Sequence, residues 1–286
     1  LLHSGVKSHI SVNFVSLGYI DAILIGIFRH VAAATIYALA ANLAPYLGRA
    51  LRIARGVFHP SAAELHPRED FEGLKKILFM GSRFLLLVTV LSALVIGFWA
   101  EVFYRLWIGT DEIGEEGLQM VVLLLRVLLA SIFFEFVSGT AGQILLGAGR
   151  VSSLAIIAAA QVIVNLVVTV ALLPRLGLLG AAIGTVVAVF AARSIWTVIL
   201  VSRQLSLRFS MFMRQVLVRP LIVGALFAAS AHAIQQLGSA QTWTQLLTQG
   251  TLAGIVGLCI AAAIGIDAME RRTLVIKARE WLRRGS

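Results

Sequence analysis

Four charged residues interrupt the long apolar runs of this sequence: Asp21, Arg126, Glu135 and Arg193. A charged side chain at the centre of a bilayer costs about 2.5–3.5 kcal/mol on insertion scales, so such groups face a protein interior or a watery cavity. Two uses follow from this chemistry. The charges either form ion pairs that fix the helices, or they line a polar cavity for an anionic or hydroxyl-rich substrate, or for a proton or ion relay.

The depths of these four residues predict which of them pair. If the apolar spans alternate across the membrane, Asp21 lies at the depth of Arg126, and Glu135 lies near the depth of Arg193. Arg126 and Glu135 are nine residues apart, which is about 13 Å along a helix and about 180° around it. Depth therefore allows two ion pairs, Asp21 with Arg126 and Glu135 with Arg193, on opposite faces of one helix.

Amide side chains within the apolar runs add hydrogen-bonding capacity. Gln143 follows Glu135 and Gly139 at intervals of four residues, and Gln161 precedes Asn165 by the same interval, so each set shares one helix face. Such amides more often bridge helices than bind ligands. Gly180 and Gly184 form a small-xxx-small pair, which predicts close packing between helices.

The elements that position these groups are predicted to be membrane-spanning helices. The chain is 59% hydrophobic and only 13% charged, whereas soluble domains carry about 25% charged residues. A helix needs about 20 apolar residues to cross the hydrocarbon core and satisfies its own backbone there. We predict an all-α polytopic membrane protein. Its eight predicted spans, A to H, cover residues 10–28, 31–48 (with an amphipathic extension to 57), 77–100, 118–146, 152–173, 178–201, 217–234 and 246–266.

The basic residues predict the orientation of these spans. Of the 24 Lys and Arg residues, 19 fall on one side, only Arg29, Arg105 and Arg175 fall on the other, and two lie within spans. By the positive-inside rule the basic side is cytoplasmic. Both ends of the sequence are then cytoplasmic, and the acidic connection between spans C and D faces outward. This asymmetry explains the net charge of +10 without nucleic acid as a partner, and it favours contact with membrane lipids.

The sequence offers no pattern typical of a catalytic or metal site. Its single cysteine, Cys259, lies in an apolar run, and its six histidines have no metal-ligand spacing. Neither a GxSxG nucleophile motif nor a phosphate-binding P-loop is present. We therefore expect no cofactor, no metal and no enzymatic activity.

Two passages resemble a known family. The first joins DAILIGIF at residues 21–28, IYALA at 36–40 and FHPS at 58–61. The second joins QILLGAGR at 143–150, Asn165, and LLPRLGLLGAAI at 172–183. Together they resemble the C-terminal part of the oligosaccharide flippases, the O-antigen and capsular polysaccharide exporters of the multidrug/oligosaccharidyl-lipid/polysaccharide superfamily.

That resemblance implies a domain plan. The family has twelve or fourteen helices in two six-helix lobes, a fold shared with multidrug (MATE-like) transporters. Residues 1–202 would form the C-terminal lobe, residues 203–267 two additional membrane helices, and residues 268–286 a basic cytoplasmic tail. The N-terminal lobe is expected to lie outside this sequence, which begins Leu1-Leu2. The tail has the pattern of an interfacial amphipathic helix, with binding to a protein partner as the alternative.

The resemblance also implies a mechanism and assigns roles. Flippases of this family move polyprenyl-pyrophosphate-linked oligosaccharide across the bacterial inner membrane by alternating access, for lipopolysaccharide or capsular polysaccharide biosynthesis. On this basis Arg126, Arg193, Gln143 and Asn165 are the candidate substrate-binding residues. Asp21 and Glu135 would carry coupling protons or ions, or position the arginines.

The sequence leaves three other functions open. A related flippase for the peptidoglycan precursor lipid II would need the same headgroup chemistry. A multidrug cation antiporter would present acidic groups without matching arginines, whereas this sequence has both. A membrane-embedded glycan polymerase or ligase usually carries a large outer loop, and the longest one predicted here covers only residues 101–117.

Overall fold

The computed structural model describes residues 21, 23–26, 31–236, 238 and 240–265. Most of span A and the whole of the basic tail at 268–286 lie outside the described residues. Within the described part every regular element is a helix, so the predicted all-α fold is confirmed. Residues 21 and 23–26 belong to a helical segment that precedes the first complete helix.

Ten α-helices follow this segment in the described part of the chain, two of them joined by a π-helical stretch. They are α1 (Val31–Gly56), α2 (Phe58–Leu65), α3 (Phe71–Trp107), α4 (Gly114–Val137), α5 (Gly139–Gly147), α6 (Val151–Leu176), α7 (Leu178–Val187), the π-helical stretch (Ala188–Ile195), α8 (Trp196–Gln204), α9 (Phe209–Gln236) and α10 (Trp243–Ile260), which ends in a π-helical turn (Ala261–Gly265).

Six helical units in the described residues are long and apolar enough to cross a membrane, and they match predicted spans C to H. The chain is therefore a multi-pass membrane protein. Several of these units extend beyond their predicted bounds; span C, predicted over residues 77–100, is the 37-residue helix α3. Span B forms the 26-residue helix α1, which is not among the six. The total of eight spans stays a prediction.

The main core lies where α1, α3 and α4 pack together. Its fully buried side chains include Leu85 and Leu86 of α3, and Leu124 and Leu125 of α4. Tyr104 is also fully buried, and its hydroxyl donates to the Leu39 carbonyl of α1 at 2.9 Å. A buried phenol needs such a partner, so this bond fixes α3 against α1.

Helices α9 and α10 attach to α3 through a separate, smaller core that contains Trp99, Phe227 and Ala253. Two polar contacts fix this attachment. Trp99 Nε1 donates to Gln249 Oε1 of α10 at 2.9 Å, and Gln235 of α9 donates from Nε2 to the Phe98 carbonyl at 2.8 Å.

Glycines allow α6 and α7 to form a tight hairpin. Gly177 ends α6 with a φ of 60°, a left-handed value that glycine adopts without steric cost. A Cβ on Gly180 would lie 2.6 Å from the carbonyl carbon and oxygen of Leu172, and a Cβ on Gly184 would overlap Thr169 Oγ1. The close packing predicted from the Gly180 and Gly184 spacing is therefore confirmed.

The π-helical stretch changes the direction of side chains within span F. The Ser194 hydroxyl donates to the Val189 carbonyl five residues earlier at 3.0 Å, and it also bonds the Phe134 carbonyl of α4. π-helical turns inside α-helices occur frequently at functional sites. Arg193 lies in this stretch.

Candidate functional site

Helix α4 separates two cavities and presents one charged residue to each. Glu135 and Ser131 line a cavity between α1, α4, α6 and α7, whereas Arg126 and Ala130 line a cleft between α3, α4 and α9. The predicted placement of Arg126 and Glu135 on opposite faces of one helix is confirmed. We call the two spaces the polar cavity and the apolar cleft.

Glu135 is the centre of a cluster of arginines at one end of the polar cavity. Its carboxylate oxygens both lie 3.3 Å from Arg52 Nη1, and Oε1 lies 3.7 Å from Arg55 Nη1. Glu135 is 5% exposed, so these ion pairs are shielded from solvent. A buried carboxylate needs charged or hydrogen-bonded partners, and Arg52 and Arg55 are those partners for Glu135.

The local sequence of α1 and α5 makes room for these arginines. A Cβ on Gly48, one turn before Arg52, would lie 3.1 Å from Arg52 Nη1. The stem of Arg55 packs on Gly139, where a Cβ would lie 3.2 Å from Arg55 Cδ, and its guanidinium lies 5.9 Å from the centroid of the Phe136 ring. Both glycines thus let a guanidinium approach closely.

Arg193 contributes a third positive charge to the same region. Its Nη1 donates to Gln161 Oε1 at 3.4 Å, and the charges of Glu135, Arg52 and Arg55 all act on it. The predicted neighbourhood of Glu135 and Arg193 is therefore found, but the ion pairs of Glu135 are with Arg52 and Arg55. Among the described residues the cluster holds three arginines and one carboxylate, which leaves two positive charges in excess.

Two donors in this cluster have no acceptor. Arg55 Nε and Gln161 Nε2 are buried and find no hydrogen-bond partner among the described residues. Gln161 is only 1% exposed and lines the polar cavity. A buried donor without an acceptor costs about 1–3 kcal/mol. Two such donors beside an excess of positive charge are suited to an anion rich in acceptor oxygens.

Asp21 forms a second polar group in the same cavity and is fully buried. Tyr37 Oη and Thr185 Oγ1 donate to its Oδ2 at 2.9 and 2.7 Å. In the amide orientation that satisfies both of its ends, Asn165 donates from Nδ2 to Asp21 Oδ1 at 3.2 Å and accepts from Thr185 N at 3.2 Å. Neutral donors alone surround this carboxylate in the described part of the chain.

The predicted ion pair between Asp21 and Arg126 is wrong. Asp21 bonds to α1, α6 and α7 in the polar cavity, whereas Arg126 lies in the apolar cleft and donates from Nε to the Gly97 carbonyl at 3.0 Å. Equal depth in a membrane does not determine which helices are neighbours. Here the body of α4 lies between the polar cavity and the face that carries Arg126.

The remaining candidates divide between the polar cavity and its surroundings. Asn165 does not line the polar cavity itself, but it donates to Asp21, which does. Gln143 lies on the short helix α5, is half-buried, and lines neither cavity. Of the four substrate-binding candidates, Arg193 and Asn165 contact residues that line the polar cavity, Gln161 and Asp21, whereas Arg126 lies in the apolar cleft.

Sequence reasoning missed Arg52, Arg55, Tyr37 and Thr185. The two arginines were assigned to the basic side of the membrane because they follow span B. Their spacing of three residues on an amphipathic continuation of that span is the signal that could have placed them on one helix face. Tyr37 and Thr185 are single polar residues in apolar helices, and no pattern marks them.

The polar cavity joins both groups of residues. It reaches from Asp21, Tyr37 and Thr185 to Arg52 and Glu135, and its volume is about 100 Å³. That space suits a few water molecules or one phosphate group. The described residues contain no group of three His, Cys, Asp or Glu side chains placed to hold a metal ion. No protein-family model matches this chain, and no curated protein matches it significantly.

Proposed function

We propose that this chain is part of a flippase that moves polyprenyl-pyrophosphate-linked oligosaccharide across the bacterial inner membrane. The single observation that carries the proposal is the cluster of Arg52, Arg55 and Arg193 around Glu135. Two buried donors of this cluster, Arg55 Nε and Gln161 Nε2, find no acceptor among the described residues. The family resemblance of the sequence supports the same substrate class.

Pyrophosphate fits the chemistry of this cluster. It carries several negative charges and many acceptor oxygens, and guanidinium groups bind phosphate with paired, charge-assisted hydrogen bonds. In a membrane such donors replace the water that the anion loses. The polar cavity and its arginine cluster bring together three arginines and two carboxylates of the described residues, Asp21 and Glu135. A cationic drug would still meet an excess of positive charge, so the antiporter alternative is disfavoured.

The size of the polar cavity bears on how the substrate binds. A volume of about 100 Å³ accommodates a phosphate group but no oligosaccharide. In our proposal the phosphates bind at the arginine cluster and the glycan extends away from this bundle. Arg52 and Arg55 both lie in the last two turns of α1, so a small movement of α1 against α4 would widen the cavity.

Asp21 is proposed as the coupling group. Its partners Tyr37, Asn165 and Thr185 are neutral, so the carboxylate can take up a proton or a small cation without first breaking an ion pair. It opens onto the same cavity as Glu135. Binding of a cation at Asp21 would therefore alter the charge that an anionic substrate meets in that cavity.

The export of surface polysaccharide tests the proposal in a strain that depends on this protein. Arg193→Gln should abolish most export at a normal protein level, because a neutral amide lacks the positive charge and the paired donors that a guanidinium offers to phosphate. Arg175→Gln is the matched control, since Arg175 is exposed in the last turn of α6, and it should export normally. Normal export by Arg193→Gln and by the double substitution of Arg52 and Arg55 would refute the proposal.

The lipid-linked intermediate that accumulates in the Arg193→Gln strain distinguishes this proposal from the alternative of a lipid II flippase. If the glycan is an O-antigen or capsular unit, the Arg193→Gln strain accumulates polyprenyl-linked oligosaccharide on the cytoplasmic face and keeps a normal cell wall. Accumulation of lipid II with loss of cell shape would instead favour peptidoglycan precursor as the substrate.

A further inference from the structure

The apolar cleft on the far side of α4 has a volume of about 650 Å³. It lies between α3, α4 and α9, and its walls are mostly aliphatic and aromatic side chains such as Leu94, Leu129 and Phe133. Cavities that bind small organic molecules have volumes of about 300–1,000 Å³ and mainly apolar walls. The cleft thus has the size and the lining of a ligand site.

Its polar groups are confined to one end. Arg126 of α4 donates to the Gly97 carbonyl of α3, and Gln235 of α9 donates to the next carbonyl, that of Phe98. From this level the cleft continues along α3 to Val90 and along α4 to Phe133, a length of roughly 10–12 Å at 1.5 Å per residue. The cleft is therefore amphipathic along its length.

The surroundings of Arg126 leave most of its guanidinium available. Its Nε bonds to the Gly97 carbonyl at 3.0 Å, the side chain is exposed at the cleft, and no carboxylate of the described residues forms an ion pair with it. Nη1 and Nη2 are the groups that bind phosphate in pairs. An arginine 12 residues into an apolar helix is stabilised by an anion at this position.

We propose that the apolar cleft binds one anionic phospholipid, with its phosphate on Arg126 and one acyl chain along the cleft toward Val90 and Phe133. The occupant is a membrane lipid and not the transported substrate, because α4 lies between this cleft and the arginine cluster of the polar cavity. A substrate with its pyrophosphate at Arg193 would leave Arg126 unoccupied. The exclusion of the substrate from this cleft rests on the proposed function, whereas lipid binding can be measured without transport.

Native mass spectrometry of the purified chain in detergent tests this directly. Phosphatidylglycerol and phosphatidylcholine with identical acyl chains are added in equal amounts, and the bound fraction of each is measured. The wild type should retain phosphatidylglycerol about fivefold better, which is the effect of one basic residue on one anionic lipid. Arg126→Gln should lose this preference, whereas Arg175→Gln should keep it.

A second pair of variants tests the path of the acyl chain. Ala225 lines the cleft from α9 and is exposed, whereas Ala229, one turn later on the same helix, is exposed but does not line it. Ala225→Phe should lower the binding of both lipids, and Ala229→Phe should bind them as the wild type does. Both exposed positions tolerate a larger side chain, so folding is preserved.

Three results would overturn the proposal. The first is equal retention of the two phospholipids by the wild type, which needs no variant to fold. The second is an unchanged preference in Arg126→Gln, which would place the lipid elsewhere. The third concerns added polyprenyl phosphate. If it displaces both lipids from the wild type but not from Ala225→Phe, the cleft is a site for the substrate's tail.

Discussion

Glu135 and Arg126 lie on opposite faces of α4, and their surroundings differ in kind. Glu135 is buried, pairs with Arg52 and Arg55, and shares a cavity with Gln161 and other polar side chains. Arg126 is exposed at a mostly apolar cleft and bonds to one backbone carbonyl. One helix therefore separates a network of mutually dependent charges from an isolated cation.

The difference concerns what each charge does for the fold. A buried carboxylate among arginines neutralises them, so its removal leaves uncompensated positive charge inside the protein. An exposed arginine with a single backbone acceptor holds little together. Substitutions in the polar cavity should therefore alter both stability and anion binding, whereas substitution of Arg126 should alter the binding of a ligand alone.

The largest effect is expected from Glu135→Gln. It leaves Arg52, Arg55 and Arg193 without their carboxylate, and we expect the free energy of unfolding to fall by about 3 kcal/mol. Thermal unfolding in detergent measures this, and inorganic phosphate should restore part of the loss. The control Glu115→Gln breaks an exposed ion pair with Arg105, which is screened by solvent, and should unfold nearly as the wild type does. Equal losses in the two variants would contradict the buried network.

A smaller effect is expected from Gly180→Ala. The added Cβ would meet the Leu172 carbonyl carbon and oxygen at 2.6 Å, so α7 must move away from α6, at a cost of about 2 kcal/mol. The same movement separates Thr185 from Asn165. Gly254→Ala on α10 is the control, because nothing lies within 4 Å of its Cβ position. Unfolding curves that coincide for the two variants would refute the tight hairpin.

Tyr37→Phe should lower the free energy of unfolding less than Gly180→Ala does. It removes one of the donors to Asp21 but leaves Thr185 at 2.7 Å, so we expect a loss of about 1 kcal/mol. Tyr46→Phe is the matched control, because Tyr46 is 63% exposed, and it should unfold as the wild type does. A Tyr37→Phe variant as stable as this control would show that the hydroxyl contributes nothing to the site.

The smallest effect on stability is expected from Arg126→Gln. Since its guanidinium is exposed and has one backbone acceptor, the free energy of unfolding should change by no more than about 0.5 kcal/mol in lipid-free detergent. The same unfolding assay measures it. A loss as large as that of Glu135→Gln would mean that the two faces of α4 are alike, which would contradict the comparison.

Much of the fold could be predicted from the sequence, because apolar runs and small residues determine it locally. Three of the predictions depend on helix length and periodicity. They are spans C to H, the placement of Arg126 and Glu135 on opposite faces of α4, and the close approach of Gly180 and Gly184 to α6. Each needs only the geometry of a single helix and its apolar length.

The candidate site was less predictable, because it depends on which helices are neighbours. Depth alone suggested that Asp21 pairs with Arg126, but hydrogen bonds join Asp21 to α1, α6 and α7. Arg52 and Arg55 were interpreted as orienting charges at the membrane surface, since a count of basic residues does not show that a helix continues and folds them onto Glu135. The π-helical stretch that carries Arg193 has no signal in its composition.

The binding of inorganic pyrophosphate to the purified chain tests the central claim most directly. Titration calorimetry should detect binding by the wild type, a loss of at least about tenfold in Arg193→Gln, and affinity equal to the wild type in Arg126→Gln. That result would place the anion site in the polar cavity. Absence of binding by the wild type, or equal losses in the two variants, would contradict it.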